Sequence, residues 1–291
     1  MFDDIVDSII GFFFDMFKGG TETFLDMVSE LFQKSVDTVR DNVSETPTEF
    51  SANLVESLKV VSDTAILPVA GLIITYVFVY ELYQLVINKN KGGEFEVGEM
   101  LFLIIKTAVI IMLVTNSFEI TLAIFDLGKW ITDQVPESSL KIPDSVADNV
   151  LDSMEDGNVG QAISMWIISA IVMIATFLMV GVIYLVAWSR IITILLYVSI
   201  APIPFATFLN RDWIGSIGQS YVKNLLALML QGYFMLVCLI IYAGLLEKVS
   251  GMMVGEGSAI YALLLMLVSM AILVITLTRT HSLAKSVVGA M

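Results

Sequence analysis

Residues Trp188 to Trp213 read WSRIITILLYVSIAPIPFATFLNRDW. The stretch is apolar enough for membrane depth, yet it carries Arg190 near its start and two prolines, Pro202 and Pro204, near its end. Proline removes a backbone donor and pushes the preceding residue away from helical geometry. The spacing therefore predicts a break in a buried helix over Ala201–Pro204. Non-helical backbone at bilayer depth persists only against protein or a water-filled cavity, because lipid supplies no hydrogen bonds. The expectation is a helix that enters, breaks and turns inside an assembly, a re-entrant element rather than a plain span.

Working outward, residues 162–209 hold one charge, Arg190. That is too long for one span and barely enough for two, so a third span over about 161–187 followed by a re-entrant hairpin fits best. Upstream, spans are expected at about 63–87, kinked by Pro68, and at about 99–125. Downstream, they are expected at about 214–246 and 259–278, the last followed by a basic tail with Arg279, His281 and Lys285. Several of these segments reach the ~20 apolar residues a bilayer crossing needs. Hydrophobic residues make up 57% of the 291, above the ~45–50% of soluble domains. The fold class read from the sequence is an all-α polytopic membrane protein. It has about five full transmembrane helices plus a Pro-broken re-entrant helical segment, preceded by amphipathic N-terminal helices.

The domain reading separates extracytoplasmic amphipathic helices at 1–55 from a transmembrane domain at 56–291. Residues 2–17 place Phe2, Ile5, Val6, Ile9, Phe13 and Phe17 at helical spacing. Gly19-Gly20 is expected to end that helix. A second amphipathic helix is expected at 21–43, and both are expected to lie on a membrane surface or on a neighbouring subunit.

Net charge is −14 and is not evenly spread. Residues 1–62 hold twelve acids against four bases, and 126–160 hold eight against two. The acidic 126–160 segment reads as an extracytoplasmic loop with a short amphipathic helix near 144–155. Lys89 and Lys91 in the loop 88–98, with the basic C-terminal tail, set the orientation by the positive-inside rule. The N-terminus is outside and the C-terminus cytoplasmic. Five spans and one re-entrant element satisfy that arrangement.

Little in the chain points to chemistry. The single His281 beside Arg279 and Lys285 reads as a solvated tail residue. No Cys/His cluster has metal-ligand spacing, and the glycine pairs lack a phosphate-loop pattern. The reading is a non-enzyme with no catalytic residue, cofactor or metal. The absence of a basic stripe argues against sequence-specific nucleic-acid binding. The candidate functional residues are therefore the intramembrane charges and the break. Glu81 and Lys106 lie on antiparallel spans joined by a short loop and are expected to form an ion pair. Arg190, Ala201, Pro202 and Pro204 mark the re-entrant segment.

Four stretches carry a resemblance: residues 62–90, SDTAILPVAGLIITYVFVYELYQLVINKN; residues 105–120, IKTAVIIMLVTNSFEI; residues 189–213 around APIPFA; and the tail SLAKSV at 282–287. Over about residues 55–291 the chain resembles the TrbL-like polytopic membrane proteins of conjugative type IV secretion systems, in their Gram-positive form. The resemblance implies an inner-membrane channel or scaffold subunit through which DNA with its relaxase leaves the donor. It also implies partners that include ATPases and a homo-oligomeric ring of about five subunits. Members have a large central outside loop, whereas 126–160 is short. The competing readings are a secondary transporter, which needs converging polar groups at the midplane, and a pore-forming protein, suggested by the acidic amphipathic N-terminus.

Overall fold

The computed structural model describes residues 2–90, 97–136, 151, 154, 158–210, 214–251 and 259–290. Among them there is no strand. The helices are α1 (Phe2–Ser44), α2 (Pro47–Phe50), α3 (Ala52–Val61), α4 (Leu67–Asn90), α5 (Val97–Thr115), α6 (Ser117–Asp133), α7 (Val159–Ser199), α8 (Pro202–Ala206), α9 (Gly215–Gly251) and α10 (Ala259–Val288). Among the described residues, five stretches are long and apolar enough to cross a membrane: Ala52–Ile87, Gly98–Thr115, Val159–Ser199, Gly215–Leu246 and Leu263–Val288. The expected all-α polytopic fold is what the chain adopts. Lys91, most of the acidic 126–160 segment with its helix near 144–155, and Arg211 lie outside the described residues.

The helices pack into two units. The first takes Met1–Val43, Asp133–Trp188 and Phe234–Thr280. In it α1 buries Phe14, Leu25, Val28, Phe32, Val36, Val39 and Val43. These residues recur at three- and four-residue spacing, the signature of one apolar helix face. They join Met165, Val172 and Ile183 of α7, Met235 and Tyr242 of α9, and Met270 and Leu273 of α10 in one core. The expected break at Gly19-Gly20 does not occur, and α1 is a single helix of 43 residues. A Cβ on Gly20 would lie 2.7 Å from the Trp166 ring. The glycine admits the indole, and the packing outweighs the ~1 kcal/mol that glycine costs a helix interior.

The second unit takes Ser44–Thr132, Ser189–Tyr233 and His281–Met291. The linker at Ser44–Ser51 is structured. Thr46 and Glu49 form a reciprocal capping box at α2, and Ser51 caps α3. Glu49 also meets Lys129 Nζ at 2.5 Å, and Lys59 pairs with Glu119. The Lys129 ammonium, then the Thr46 N–H, hold the Glu49 carboxyl below the usual carboxylate range. Upstream of Pro68 the helix widens to a π turn over Ser62–Ile66, with Leu67 N donating to Ser62 O. Such a turn re-routes backbone bonds where a proline withholds its N–H.

Two boundaries differ from the sequence reading. The second span stops at Thr115 rather than near 125. Asn116 Nδ2 donates to Met112 O at 2.8 Å and Thr115 Oγ1 to Ile111 O at 2.9 Å, so side chains compete for helix carbonyls there. Residues 117–133 form a separate amphipathic helix that buries Phe118, Thr121, Phe125, Gly128 and Thr132. The C-terminal tail, expected to be solvated, continues α10 to Val288. On it His281 Nδ1 lies 3.2 Å from Gln231 Oε1.

Candidate functional site

The proline-broken segment lies within the second unit, and a backbone count explains its form. Helix α7 runs past the expected end near 187, through Arg190, to Ser199. Without a proline, the N–H at 202 would meet Val198 O and the N–H at 204 would meet Ile200 O, following the i to i−4 pattern. Both carbonyls find other donors: Ala201 N bonds Val198 O at 3.3 Å, and Ile203 N bonds Ile200 O at 3.2 Å. Each proline's acceptor is taken by the residue before it. This tightening to i−3 leaves Tyr197 O without the Ala201 N–H. The Tyr221 hydroxyl, on α9, donates to Tyr197 O at 2.7 Å.

Ala201 was expected outside the helical region. It sits in the helical region, at φ −48, ψ −41, and Pro202 opens α8 at the first-turn position where proline is tolerated. The short helix ends in a 3-10 turn, Thr207–Leu209, and the chain then extends at Asn210, with φ −103 and ψ 131.

Helix α9 begins against this segment. A Cβ on Gly218 would lie 2.8 Å from Pro204 O and 2.9 Å from Thr207 Oγ1, and one on Gly215 would lie 2.0 Å from Asn210 O. Only glycine permits that approach of backbone to backbone. Thr207 Oγ1 uses the closeness twice, donating to Pro204 O at 2.7 Å and accepting from Gly218 N at 2.9 Å. Aromatic rings fill the remaining space. Tyr197 stacks on Tyr221 at 5.6 Å, and Phe205 meets Tyr221 and Phe208 edge-on at 6.0 and 5.7 Å.

The expected pair of Glu81 and Lys106 is not formed. Glu81 Oε1 accepts from Asn210 Nδ2 at 2.6 Å, and among the described residues no ion pair joins it to Lys106. The two residues sit at equal distance from the loop between α4 and α5, so depth is not the obstacle. Helix α8 and its 3-10 turn pack against both α4 and α5, and the carboxylate meets the amide at the end of that insertion. Lys106 is half-buried elsewhere on α5. Arg190 is buried in α7.

The oligomer argument from unpaired carbonyls also changes. Pro202, Pro204, Phe205, Ala206, Thr207, Leu209 and Asn210 are all buried within one chain. So are Met229 and Met235. The segment needs no second subunit to satisfy the carbonyls traced above.

Sequence reasoning missed Thr207, Asn210, Gly215, Gly218 and Tyr221. The visible signal was a Gly-x-x-Gly pair directly downstream of a proline break, where close backbone approach is the usual use of glycine.

Beside the segment lies a cavity of about 530 Å³ between α4 (Val69, Leu72, Ile73, Tyr76) and Ile203, Thr207, Ile214 and Ile217. Its lining is almost wholly apolar. No group there converges on a polar solute as a transporter site requires. The site is a structural junction in which a broken helix is held by hydrogen bonds and ring packing.

Residues 32–202 match the family model for TrbL/VirB6 plasmid conjugal transfer like protein. The chain belongs to that family. The match covers more than half of the chain and runs from within α1 to Pro202, the first proline of the junction. Membership with five apolar spans makes this a membrane protein of a conjugal transfer system. Comparison with curated proteins and with solved structures gives no match.

Proposed function

We propose that this TrbL/VirB6-family chain is a channel or scaffold subunit of a conjugative type IV secretion apparatus. It assists DNA with its relaxase across the cell membrane. The observation that carries the reading is the family match over 32–202 on a chain with five apolar spans. The junction supports it. There α7 is interrupted at Ile200–Ala201 and the chain leaves helical geometry at Asn210, held by buried hydrogen bonds, and irregular backbone in a membrane is tolerated only against protein or a water-filled cavity. The role is non-catalytic, with energy supplied by partner ATPases. The N-terminus is outside and the C-terminus cytoplasmic. The working form is a closed homo-oligomeric ring of about five subunits, closed symmetry being the default for homo-oligomers.

The test is purification of the tagged chain from donor membranes in mild detergent, followed by native mass measurement. A closed oligomer that co-purifies with other transfer subunits is the expected result. A lone monomer at every detergent ratio overturns the ring, and absence of transfer subunits overturns the scaffold role.

A further inference from the structure

One wall of the cavity beside the broken segment is formed by Val69, Leu72, Ile73 and Tyr76 of α4. That helix belongs to the apolar stretch Ala52–Ile87. Within the stretch, Asp63 and Glu81 bound a run of 17 uncharged residues, 64–80, with Leu72 at its midpoint. The run is about 26 Å long at 1.5 Å per residue, close to the ~30 Å of a bilayer's hydrocarbon core. Charged side chains avoid lipid, so a crossing by this helix places 64–80 in the hydrocarbon. The cavity wall then lies near the middle of the membrane.

The cavity opens to the outside of the protein. Leu72 is 72% exposed, and Val69, Tyr76 and Ile217 are exposed as well, so the space is continuous with the face that α4 turns to lipid. Two hydroxyls belong to its lining residues. That of Thr207 is already engaged by Pro204 O and Gly218 N, which leaves Tyr76. A buried water needs two to four polar partners and takes ~30 Å³, so a cavity of about 530 Å³ with one hydroxyl to offer does not retain water. An empty space of that size would strip its walls of dispersion contacts. Packed transmembrane helices meet through small residues that let backbones approach. Here Thr207 is the one small lining residue, and the others are Val, Leu, Ile and Tyr.

We infer that a phospholipid acyl chain occupies this cavity and packs between α4 and the proline-broken segment. Ile203, which stands between the two prolines, forms the opposite wall with Ile214 and Ile217. The tail supplies the contacts that side chains of the two walls do not make across the space, and so braces the break from its lipid side. No charged side chain lines the cavity, so the hydrocarbon tail is what it recognises, whatever the headgroup. The site requires only that the protein lies in a membrane, and it stands apart from the role in DNA transfer.

The test places the full-length protein in phosphatidylglycerol vesicles doped with a phospholipid that carries a diazirine at the end of one acyl chain. After illumination, modified residues are located by peptide mass measurement. The expected result is modification of the half-buried wall residues Ile73, Ile203 and Ile214, together with exposed positions such as Leu196. Ile73→Phe and Ile217→Phe narrow the space from opposite walls. Each should remove the modification at Ile203 and retain it at Leu196. Modification confined to exposed residues such as Leu72 and Leu196 means that no tail enters, and it overturns the inference. Modification of Ile203 that both filled variants keep, or that a headgroup-labelled phospholipid reproduces, overturns it as well. In Cys238→Ser protein, a disulfide between copies through Leu72→Cys, with Ile203 unmodified, assigns the cavity to a second copy and overturns it too.

Discussion

Removal of the Asn210 side chain leaves the Glu81 carboxylate half-buried without the donor that now lies 2.6 Å away. Hydrogen bonds to charged groups contribute roughly 1.5–3 kcal/mol, so Asn210→Leu should lower unfolding stability in detergent by about that amount. Asn210→Leu combined with Glu81→Gln should lose less than the two single losses added together, because the uncompensated charge is gone. By contrast, Glu81→Lys with Lys106→Glu should recover nothing over the single variants. The sequence marks Glu81 as a charge that needs a partner. It does not show that the partner is 129 residues away, since that depends on how α8 inserts against α4 and α5. A second residue-scale prediction separates two glycines of α9. Gly218→Ala drives a methyl to 2.8 Å from Pro204 O and should cost about 1–3 kcal/mol, as overpacking does. Gly244→Ala meets nothing within 4 Å and should be neutral or stabilising by up to ~1 kcal/mol from helix propensity. Thermal midpoints of the two variants in one detergent check the contrast.

At the scale of elements, the break in α7 and the Tyr221 hydroxyl are coupled. Tyr221→Phe removes the donor to Tyr197 O and should cost about 0.5–1.5 kcal/mol. Pro202→Ala with Pro204→Ala restores two N–H groups, which lets α7 regain its i to i−4 ladder and returns the Ala201 N–H to Tyr197 O. In that background Tyr221→Phe should cost measurably less, a positive coupling that a double-mutant cycle reads directly. Equal losses in both backgrounds would remove the link. Helix type and number were legible at this scale, because apolar length and 3.6-residue periodicity are local. Boundaries set by neighbours were not. Gly19-Gly20 looks like a stop until Trp166 fills the gap, and Asn116 interrupts an apolar run through side-chain bonds to Met112 and to its own turn. The prolines were legible as a break, but the repair of Val198 O and Ile200 O by the preceding amides requires the fold.

For the whole molecule, the placement of acids and bases supports the proposed orientation with the N-terminus outside. In a Cys238→Ser background, a cysteine at Ser145 should react with an impermeant thiol reagent on intact cells, and one at Ser286 should not. Reaction at Ser286 but not at Ser145 would reverse the orientation. The acidic weight of the N-terminal 62 residues was legible as charge, but its location was not. Amphipathicity alone allows α1 to lie on a membrane surface, and only its register against α7 sets it beside an apolar span. This TrbL/VirB6-family protein is proposed to be required in the donor membrane for conjugation, and conjugative transfer frequency tests that requirement. An in-frame deletion in the donor should abolish transfer, and the intact chain supplied from elsewhere should restore it. Undiminished transfer from the deletion donor would show that the protein is not required.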